Sequence, residues 1–298
     1  MENATQVGFV GLGSMGSAVV ERLLDGGFAV TGWNRTPARA EPLVERGMAA
    51  AETPAAVAAQ ADIVLSMVTD TAAVEEVASG PDGILAGLRP GGVWADMSTI
   101  APDASRRLAE RATEAGGEML DAPVSGSVAT LKQGDLAIMA GGTEEAFRRA
   151  EPVFLAIGPR VTRVGENGMA LVTKVALNLA LVVQVVGFCE GVALAEKGGV
   201  SREVAVEAML GSVISSPVLR YRGPFVLEGN MPDVAWADVD LQQKDLMLAF
   251  DLGRRLGAPL PTAAAANELL NACRGMGIGH HDFAVVHRVY RAMAGAQA

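Results

Sequence analysis

Short apolar runs alternate with amphipathic segments through the first part of the chain, and this alternation predicts strands followed by helices. The strand-like runs are 7–10, 28–33, 62–68, 92–97, 119–123, 136–141 and 160–164, and the helix-like segments are 17–25, 38–46, 53–60, 71–78, 102–115 and 143–156. Strands that alternate with helices in this way usually pair in parallel. The pattern therefore predicts an α/β domain over residues 1–164, with a mostly parallel, doubly wound sheet.

From residue 165 onward the strand signals stop, and the apolar positions recur at helical spacing. Helices are predicted over 165–190, 202–213, 238–256, 261–274 and from Asp282 onward, with a loop rich in proline, glycine and arginine over 215–232. The segment 165–190 contains no proline and predicts one long buried helix. We therefore expect an all-α second domain over residues 165–298, joined to the first through this helix.

Composition and charge exclude some classes of function. Of the 298 residues, 50% are apolar but only 4% are aromatic, and the formal net charge is -10. Such a chain suits packed cores better than base stacking on nucleic acid or general binding of a phosphate backbone. The spacing of cysteines and histidines predicts no metal site.

The long apolar helix is the closest approach to a membrane span. Four polar residues, Lys174, Asn178, Gln184 and Glu190, interrupt it, so the pattern predicts a buried helix and not a span. The N-terminus shows no secretory signal pattern. We therefore expect a cytoplasmic protein that binds neither nucleic acid nor a membrane.

A glycine-rich turn follows the first predicted strand and opens the first predicted helix. In this context a GxGxxG pattern is typical of a dinucleotide site, since the loop and the helix N-terminus offer N–H groups to a pyrophosphate. Gly11 permits the tight turn, Gly13 lets the backbone approach the phosphates, and Gly16 lets helix and strand pack closely. The residues predicted to bind the cofactor here are Gly11, Leu12, Gly13, Ser14, Met15 and Gly16. A glycine turn that binds no ligand is the simpler alternative.

The end of the second predicted strand bears on which dinucleotide binds. A site for NAD usually has an acidic residue there, for the ribose hydroxyls. This chain has Asn34, Arg35 and Thr36 instead. A neutral amide does not repel a 2′-phosphate, and a guanidinium can pair with it, so we predict NADP(H) over NAD(H). The alternative is that Arg35 is only a solvated loop charge.

The predicted long helix carries Lys174 and Asn178, which are four residues apart and share one face. Polar groups on an apolar helix are costly to bury without partners, so a ligand or partner is expected to face them. A lysine there can give a proton to a carbonyl oxygen or take one from a hydroxyl, and burial is expected to lower its pKa. The alternative for Asn178 is a purely structural hydrogen bond.

Five segments, in order along the chain, resemble the β-hydroxyacid dehydrogenase family. They are Val7–Gly16, Asp96–Pro102, Asp121–Gly126, Gly168–Asn178 and Lys244–Leu246. The resemblance implies a Rossmann domain, an all-helical second domain and a homodimer or homotetramer built through the C-terminal helices. It also implies a hydride transfer between NADP(H) and a small carboxylate-bearing aldehyde, keto acid or 3-hydroxy acid.

The resemblance also assigns roles to residues. Lys174 would be the general acid or base and Asn178 its neighbour at the substrate. Ser125, Gly126, Ser127, Lys244 and Asp245 would bind the substrate, with an ordinary tight turn as the alternative for the first three. Val68, Thr69, Thr99 and Lys244 would contact the cofactor.

The chain departs from the family pattern at Ser127, Ala170 and Leu177, and the aromatic residue or histidine usual before Lys244 is displaced. These departures bear on the substrate more than on the chemistry. Two other functions stay open. One is an NADPH-dependent imine reductase of the same architecture, against which Lys174 speaks. The other is a non-catalytic dinucleotide-binding scaffold.

Overall fold

The alternating elements of the first half of the chain form one sheet with helices on both faces. The computed structural model describes residues 5–295. The strands are β1 (Gln6–Val10), β2 (Ala29–Trp33), β3 (Ala49–Ala50), β4 (Ile63–Ser66), β5 (Val93–Asp96), β6 (Glu118–Asp121), β7 (Val124–Ser125), β8 (Ala137–Gly141) and β9 (Arg160–Gly165). The helices are α1 (Ser14–Asp25), α2 (Glu41–Val44), α3 (Pro54–Gln60), α4 (Thr71–Ala78), α5 (Ile84–Gly87), α6 (Pro102–Glu114), α7 (Val128–Lys132) and α8 (Glu144–Ile157).

The strand order is β3-β2-β1-β4-β5-β6-β8-β7, and β9 pairs with β8. All neighbours from β3 to β6 are parallel, whereas β8 is antiparallel to β6 and β7. The predicted fold class is confirmed, and the first six strands have the order common in dinucleotide-binding folds. Because β1, β2, β4, β5 and β6 are parallel, the segments that follow them lie at one edge of the sheet.

Alternation along the strands fills two cores, one on each face of the sheet. Ile63 and Leu65 belong to one apolar cluster and Val64 to the other. In the same way Val93 and Trp94 point to opposite faces. Strand residues that point to either face therefore enter an apolar core, as expected for a parallel sheet covered on both sides.

The shortest elements were not predicted from the sequence. They are β3, β7, α5 and α7, which have between two and five residues each. The predicted helix 38–46 is a 3₁₀ turn, Pro37–Arg39, followed by α2. Periodicity cannot identify such elements, because they contain barely one repeat of any pattern.

The long helix α9 (Met169–Lys197) begins four residues later than predicted and extends seven residues further. Gly165 and Gly168 have φ of 142° and 85°, so the helix cannot include them, and it ends before Gly198 and Gly199. By length and composition α9 could span a membrane, so its interrupting polar residues do not by themselves exclude a span. The same properties occur in core helices of soluble proteins, and Val182, Cys189 and Val192 of α9 are fully buried in this chain.

Contacts divide the chain into two compact units, the first ending at Lys174 and the second starting at Val175. The sequence predicts the boundary ten residues earlier, at 164/165. The difference arises because the first turn of α9 packs on the sheet, where Leu171 belongs to one of its apolar clusters.

The second unit is helical, as predicted. Besides most of α9 it contains α10 (Arg202–Leu210), α11 (Pro217–Arg222), α12 (Val239–Leu256), α13 (Pro261–Gly275) and α14 (Val286–Met293), with 3₁₀ turns at Gly223–Val226 and Phe283–Val285. Its core is formed largely by valine, alanine and leucine side chains. Helix α11 and the first 3₁₀ turn lie in the segment predicted to be a loop.

A buried ion pair holds that segment in place. The guanidinium of Arg222 donates to both carboxylate oxygens of Asp282, at 3.0 and 3.2 Å, and both side chains are buried. Asp282 also accepts from the backbone N–H groups of Ala237 and Ala284. The guanidinium lies 4.7 Å from the ring centroid of Phe283. The pair thus joins α11 to two other parts of the unit.

We expect Arg222→Ala to lower the free energy of unfolding by about 3–5 kcal/mol, because it leaves a buried carboxylate without its cation. The matched control is Arg254→Ala, which breaks the exposed pair with Asp251 and should cost less than about 1 kcal/mol. Urea unfolding of the two variants measures the difference. Equal losses would contradict the role given to the buried pair.

Candidate active site

The glycine loop between β1 and α1 leaves space for a ligand at one glycine and not at the other two. A Cβ on Gly11 would lie 2.3 Å from the carbonyl oxygen of Met67, and one on Gly16 would lie 2.1 Å from that of Gly11. A Cβ on Gly13 would have no protein atom within 4 Å. Packing within the chain therefore explains Gly11 and Gly16, whereas the open side of Gly13 suits a ligand that approaches the backbone.

The N-terminus of α1 faces the same space. Gly13 is the N-cap residue and has no side chain to accept from the first turn, so the N–H groups of Ser14, Met15 and Gly16 have no acceptor within the helix. Such a terminus attracts phosphate through its N–H groups and its dipole. The loop therefore fits the pyrophosphate of a dinucleotide cofactor.

Leu12 and Asn34 have a structural task in this loop. The backbone N–H of Leu12 donates to Asn34 Oδ1 at 2.8 Å, and Asn34 Nδ2 donates to the carbonyl of Thr36 at 3.0 Å. The Leu12 side chain is buried in the core. The backbone N–H of Leu12, one of the predicted cofactor residues, therefore joins the loop to the end of β2.

Arg35 and Thr36 follow β2 and are exposed. The Arg35 side chain is 81% exposed, and its nearest carboxylate is Glu76, 3.8 Å from Nη1. An exposed pair at that distance is weak and easily exchanged for another anion. Arg35 is thus accessible to a phosphate at this edge of the sheet.

A buried hydrogen-bond network joins the ends of β4 and β5. Asp96 Oδ1 accepts from the hydroxyls of Ser66 (2.7 Å) and Ser98 (2.8 Å), and Ser66 in turn accepts from Trp94 Nε1. The Ser98 hydroxyl also accepts from the backbone N–H of Val68 at 2.9 Å. The network fixes the loop containing Val68 and Thr69, and it orders the residue before Thr99.

The position of the Asp96 carboxylate disfavours its charged form. Its Oδ2 atom has no hydrogen-bond partner among residues 5–295. The pKa of Asp96 is raised to about 6, mainly by burial and less by the neighbouring Asp121 carboxylate, while the hydrogen bonds from Ser66 and Ser98 act to lower it. A group with this pKa is mostly ionised at neutral pH and partly protonated near pH 6.

In the turn after β6, one of the predicted substrate residues has a local structural partner. Ser127 is the N-cap of α7: its hydroxyl accepts from the N–H of Thr130, and its own N–H donates to Thr130 Oγ1 at 3.2 Å. The Ser127 hydroxyl and N–H are therefore used in a local capping box. Ser125 is half-buried, and Gly126 is exposed with φ of 138°.

Lys174 and Asn178 lie one turn apart on α9, as predicted; Lys174 is half-buried and Asn178 is buried.

In the helical unit three of the predicted site residues meet. Asn178 Nδ2 donates to Asp245 Oδ2, and Lys244 Nζ lies 3.0 Å from Asp245 Oδ1. The Asp245 carboxylate thus holds the Asn178 amide and the Lys244 ammonium, so the structural hydrogen bond considered for Asn178 is present.

Three residues that form buried hydrogen bonds were assigned no role from the sequence. Ser66 and Trp94 complete the Asp96 network, and Asp121 accepts from two backbone N–H groups at the start of α9. The available signal was a polar residue at the end of an apolar strand, which holds for Ser66, Asp96 and Asp121 alike. Over residues 5–295 no group of three or more histidine, cysteine or acidic side chains is placed to hold a metal ion.

Two family models match the chain. Residues 6–165 match the NAD binding domain of 6-phosphogluconate dehydrogenase, and residues 168–290 match the model described as NAD-binding of NADP-dependent 3-hydroxyisobutyrate dehydrogenase. Glyoxylate/succinic semialdehyde reductase 1 of Arabidopsis thaliana is 34% identical over 94% of this chain and 96% of its own length. 2-(Hydroxymethyl)glutarate dehydrogenase of Eubacterium barkeri is 33% identical over 99% and 98%.

Other similar proteins are more varied. The cytokine-like nuclear factor N-PAC of Xenopus tropicalis is 35% identical over 96% of this chain, which spans 53% of that protein. Among solved structures, a 3-hydroxyisobutyrate dehydrogenase from Salmonella typhimurium has a TM-score of 0.86 and 30% identity, covering 96% of this chain and 99% of its own. An imine reductase from Pseudomonas sp. has a TM-score of 0.63 and 23% identity, covering 96% and 99%, which shows a shared fold only.

The raised pKa of Asp96 leads to a prediction about stability and pH. A carboxyl group whose pKa is raised in the folded protein stabilises the fold when it is protonated. Its contribution is therefore present below the ordinary aspartate pKa of 3.8 and is lost as pH rises through about 6. Asp96→Asn carries no charge at any pH. Relative to this variant, the wild-type free energy of unfolding should fall by about 1–3 kcal/mol between about pH 4 and about pH 7.5.

Urea unfolding at the two pH values measures this difference. Asp135→Asn removes an exposed carboxylate of the same unit and serves as the control. A difference between wild type and Asp96→Asn that does not change with pH would contradict the burial of a charged Asp96.

Proposed function

Because the chain belongs to the β-hydroxyacid dehydrogenase family of dinucleotide-binding oxidoreductases, as its motifs predicted, we propose that it interconverts a small carboxylate-bearing carbonyl compound and its hydroxy acid. The observation that carries the proposal is a half-buried lysine, Lys174, with Asn178 one turn further on α9, in a chain that also has an open glycine loop. NADP(H) supplies or accepts the hydride when bound. The substrate is an aldehyde, a keto acid or a 3-hydroxy acid.

In this proposal Lys174 moves the proton. It protonates the carbonyl oxygen during reduction and takes the proton from the hydroxyl during oxidation. General acid or base catalysis of this kind contributes about 10²–10⁴-fold to a rate. Lysine is suited to the task because its ammonium can donate and its amine can accept.

Asn178, Asp245 and Lys244 are joined to one another within the helical unit. The Asp245 carboxylate fixes the orientation of the Asn178 amide and holds the Lys244 ammonium. We propose that Asn178 holds the substrate or a water molecule beside Lys174, and that Lys244 contacts the substrate or the cofactor. With its Nδ2 directed to Asp245, Asn178 keeps its carbonyl oxygen for that contact.

Ser125 and Gly126 are proposed to bind the carboxylate of the substrate. Gly126 is exposed and Ser125 half-buried, so a hydroxyl and the backbone of a turn are accessible there. Because Ser127 is used to cap α7, we propose that its role is to hold this turn and not to contact the substrate directly.

The proposed cofactor is NADP(H). The support is the absence of an acidic side chain directly after β2, where Asn34 braces the loop, together with the exposure of Arg35. The ribose and nicotinamide would lie near Val68, Thr69 and Thr99, which follow β4 and β5 at the same edge. The solved structure of Psf3 holds NADP+ and is 26% identical to this chain, with a TM-score of 0.86 over 95% of this chain and 99% of that one.

The similar proteins named glyoxylate/succinic semialdehyde reductase and 2-(hydroxymethyl)glutarate dehydrogenase support a carboxylate-bearing substrate. The imine reductase alternative has only the shared fold in its favour. A non-catalytic scaffold has in its favour the similarity to a protein named as a nuclear factor. We also propose a cytoplasmic homodimer or homotetramer built through the C-terminal helices.

We expect Lys174→Ala to lower kcat by about a hundredfold or more while the Kd for NADPH stays within about threefold of wild type, since the proton donor is lost and the cofactor loop is not. Lys132→Ala, which changes an exposed lysine of the same unit, should leave both unchanged. The rate is followed by NADPH absorbance with glyoxylate, succinic semialdehyde and a cyclic imine as substrates.

The substrate panel separates the alternatives. Turnover of the two carboxylate-bearing aldehydes supports the proposal, and turnover of the imine alone supports an imine reductase. Tight binding of NADPH without turnover of any carbonyl would support a scaffold. A Lys174→Ala variant as active as wild type would exclude the proposed proton donor.

Arg35→Asp should reverse the cofactor preference, raising KM for NADPH at least about tenfold while KM for NADH falls or stays the same, because it replaces a phosphate partner by a like charge. Arg148→Asp changes an arginine of similar exposure, which pairs with Glu144 on α8, and should leave the ratio of the two KM values unaltered. An unchanged NADPH preference in Arg35→Asp would show that Arg35 is only a solvated charge.

A further inference from the structure

The first turn of α9 is capped by a carboxylate from another element. Asp121, the last residue of β6, is buried; its Oδ1 accepts from the N–H of Gly168 at 2.7 Å and its Oδ2 from the N–H of Leu171 at 3.1 Å. The first N–H groups of a helix have no acceptor within it, and a side chain just before the helix usually accepts from them. Gly168 has no such side chain, and Asp121 takes its place.

The surrounding backbone leaves room for this carboxylate. A Cβ on Gly141 of β8 would lie 2.8 Å from Asp121 Oδ1. A Cβ on Gly168 would lie 2.8 Å from Arg106 Nε, and the φ of Gly168 is 85°. Glycine is therefore required at both positions, and each would clash with its surroundings if it had a side chain.

Two further hydrogen bonds hold the turn before α9. Asn167 Nδ2 donates to the carbonyl of Met119 on β6 at 2.7 Å, and Arg106 Nε on α6 donates to the carbonyl of Asn167 at 3.3 Å. The start of α9 is thus joined to β6 at two points and to α6 at one. This leaves the first turn little freedom to shift along the sheet.

A carboxylate is a costly choice for this position if stability alone is considered. Asp121 lies between Leu120 and Ala122, which are both fully buried. Burial raises the pKa of Asp121, while the hydrogen bonds from Gly168 and Leu171 lower it. Apolar side chains often stabilise such interior sites as well as ionic ones do, so a carboxylate here points to a task other than packing.

We propose that Asp121 is a positioning residue for Lys174. Lys174 follows Leu171 by three residues, so the same turn that Asp121 fixes sets the height and rotation of the lysine on its helix. A negative charge at a helix N-terminus also complements the helix dipole. The inference rests on the proposed function, because it assumes that Lys174 transfers the proton. A displacement of about 1 Å can cost on the order of a hundredfold in rate.

Asp121→Asn tests the proposal in the full-length chain. The amide keeps one acceptor oxygen but turns an N–H donor toward the other backbone N–H. We expect the amides of Gly168 and Leu171 to exchange hydrogen about tenfold faster, as for a lost cap, while Val185 and Val192 in the middle of α9 are unchanged. We also expect kcat to fall about ten- to a hundredfold, with KM for NADPH within about threefold.

The control is Thr53→Ala, which removes the side-chain N-cap of another helix of the same unit, α3, where the Thr53 hydroxyl accepts from the N–H of Ala56 at 3.0 Å. It should change neither the exchange at Gly168 and Leu171 nor kcat. An equal loss of kcat in the two variants would overturn the proposal, because the rate would then follow general stability. Unchanged exchange at Gly168 and Leu171 in Asp121→Asn would overturn it as well.

A measurement that does not depend on activity, and a second variant, complete the test. Reductive methylation of Lys174, with Lys132 as the internal reference, should be at least about threefold faster in Asp121→Asn, because a loosened first turn exposes the side chain. This result holds or fails even if the wild type reduces no carbonyl, which would refute only the proposed function. If Asp121→Asn does not fold, Asn167→Ala should show the same changes more weakly, and their absence would refute the proposal.

Discussion

The parallel pairing of β2, β1, β4, β5 and β6 is the constraint on which the candidate site depends. Parallel strands all end at the same edge of a sheet. The segments that follow these strands are therefore brought together although they are far apart in the chain. They include the glycine loop, the Asn34–Thr36 turn, the Val68 loop, Thr99 and the turn at Ser125.

Buried carboxylates hold further elements of the structure together. Asp96 joins β4 and β5 through Ser66 and Ser98, and Asp121 joins β6 to the start of α9. In the helical unit Asp245 and Asp282 have comparable tasks. Each of these carboxylates accepts hydrogen bonds from an element distant in sequence, because a buried charge without such donors would be unstable. Precision in the arrangement of the site is thus obtained at some cost in stability.

The long strands and helices could be predicted because each contains several repeats of its pattern. The two-residue strands, α7 and α11 could not, since they are too short to show a period, and α11 is held by the buried pair of Arg222 with Asp282. The predicted site residues come from local motifs for the same reason. Where a motif residue has a second, structural partner, as with Leu12 and Ser127, the motif by itself gave an incomplete account.

The amino-acid sequence by itself determined the fold class, the glycine loop and the placing of Lys174 and Asn178 on one helix face, because these follow from local spacing. It also indicated the family, through the resemblance of five short segments. Only the tertiary structure decided which polar groups already have a hydrogen-bond or ion-pair partner within the protein. It showed that Asn34 occupies the Leu12 N–H, that Asp245 holds both Asn178 and Lys244, and that Asp121 caps the helix of Lys174. The physical reason is that a hydrogen bond between distant segments depends on how strands and helices pack, and no repeat in the sequence records it.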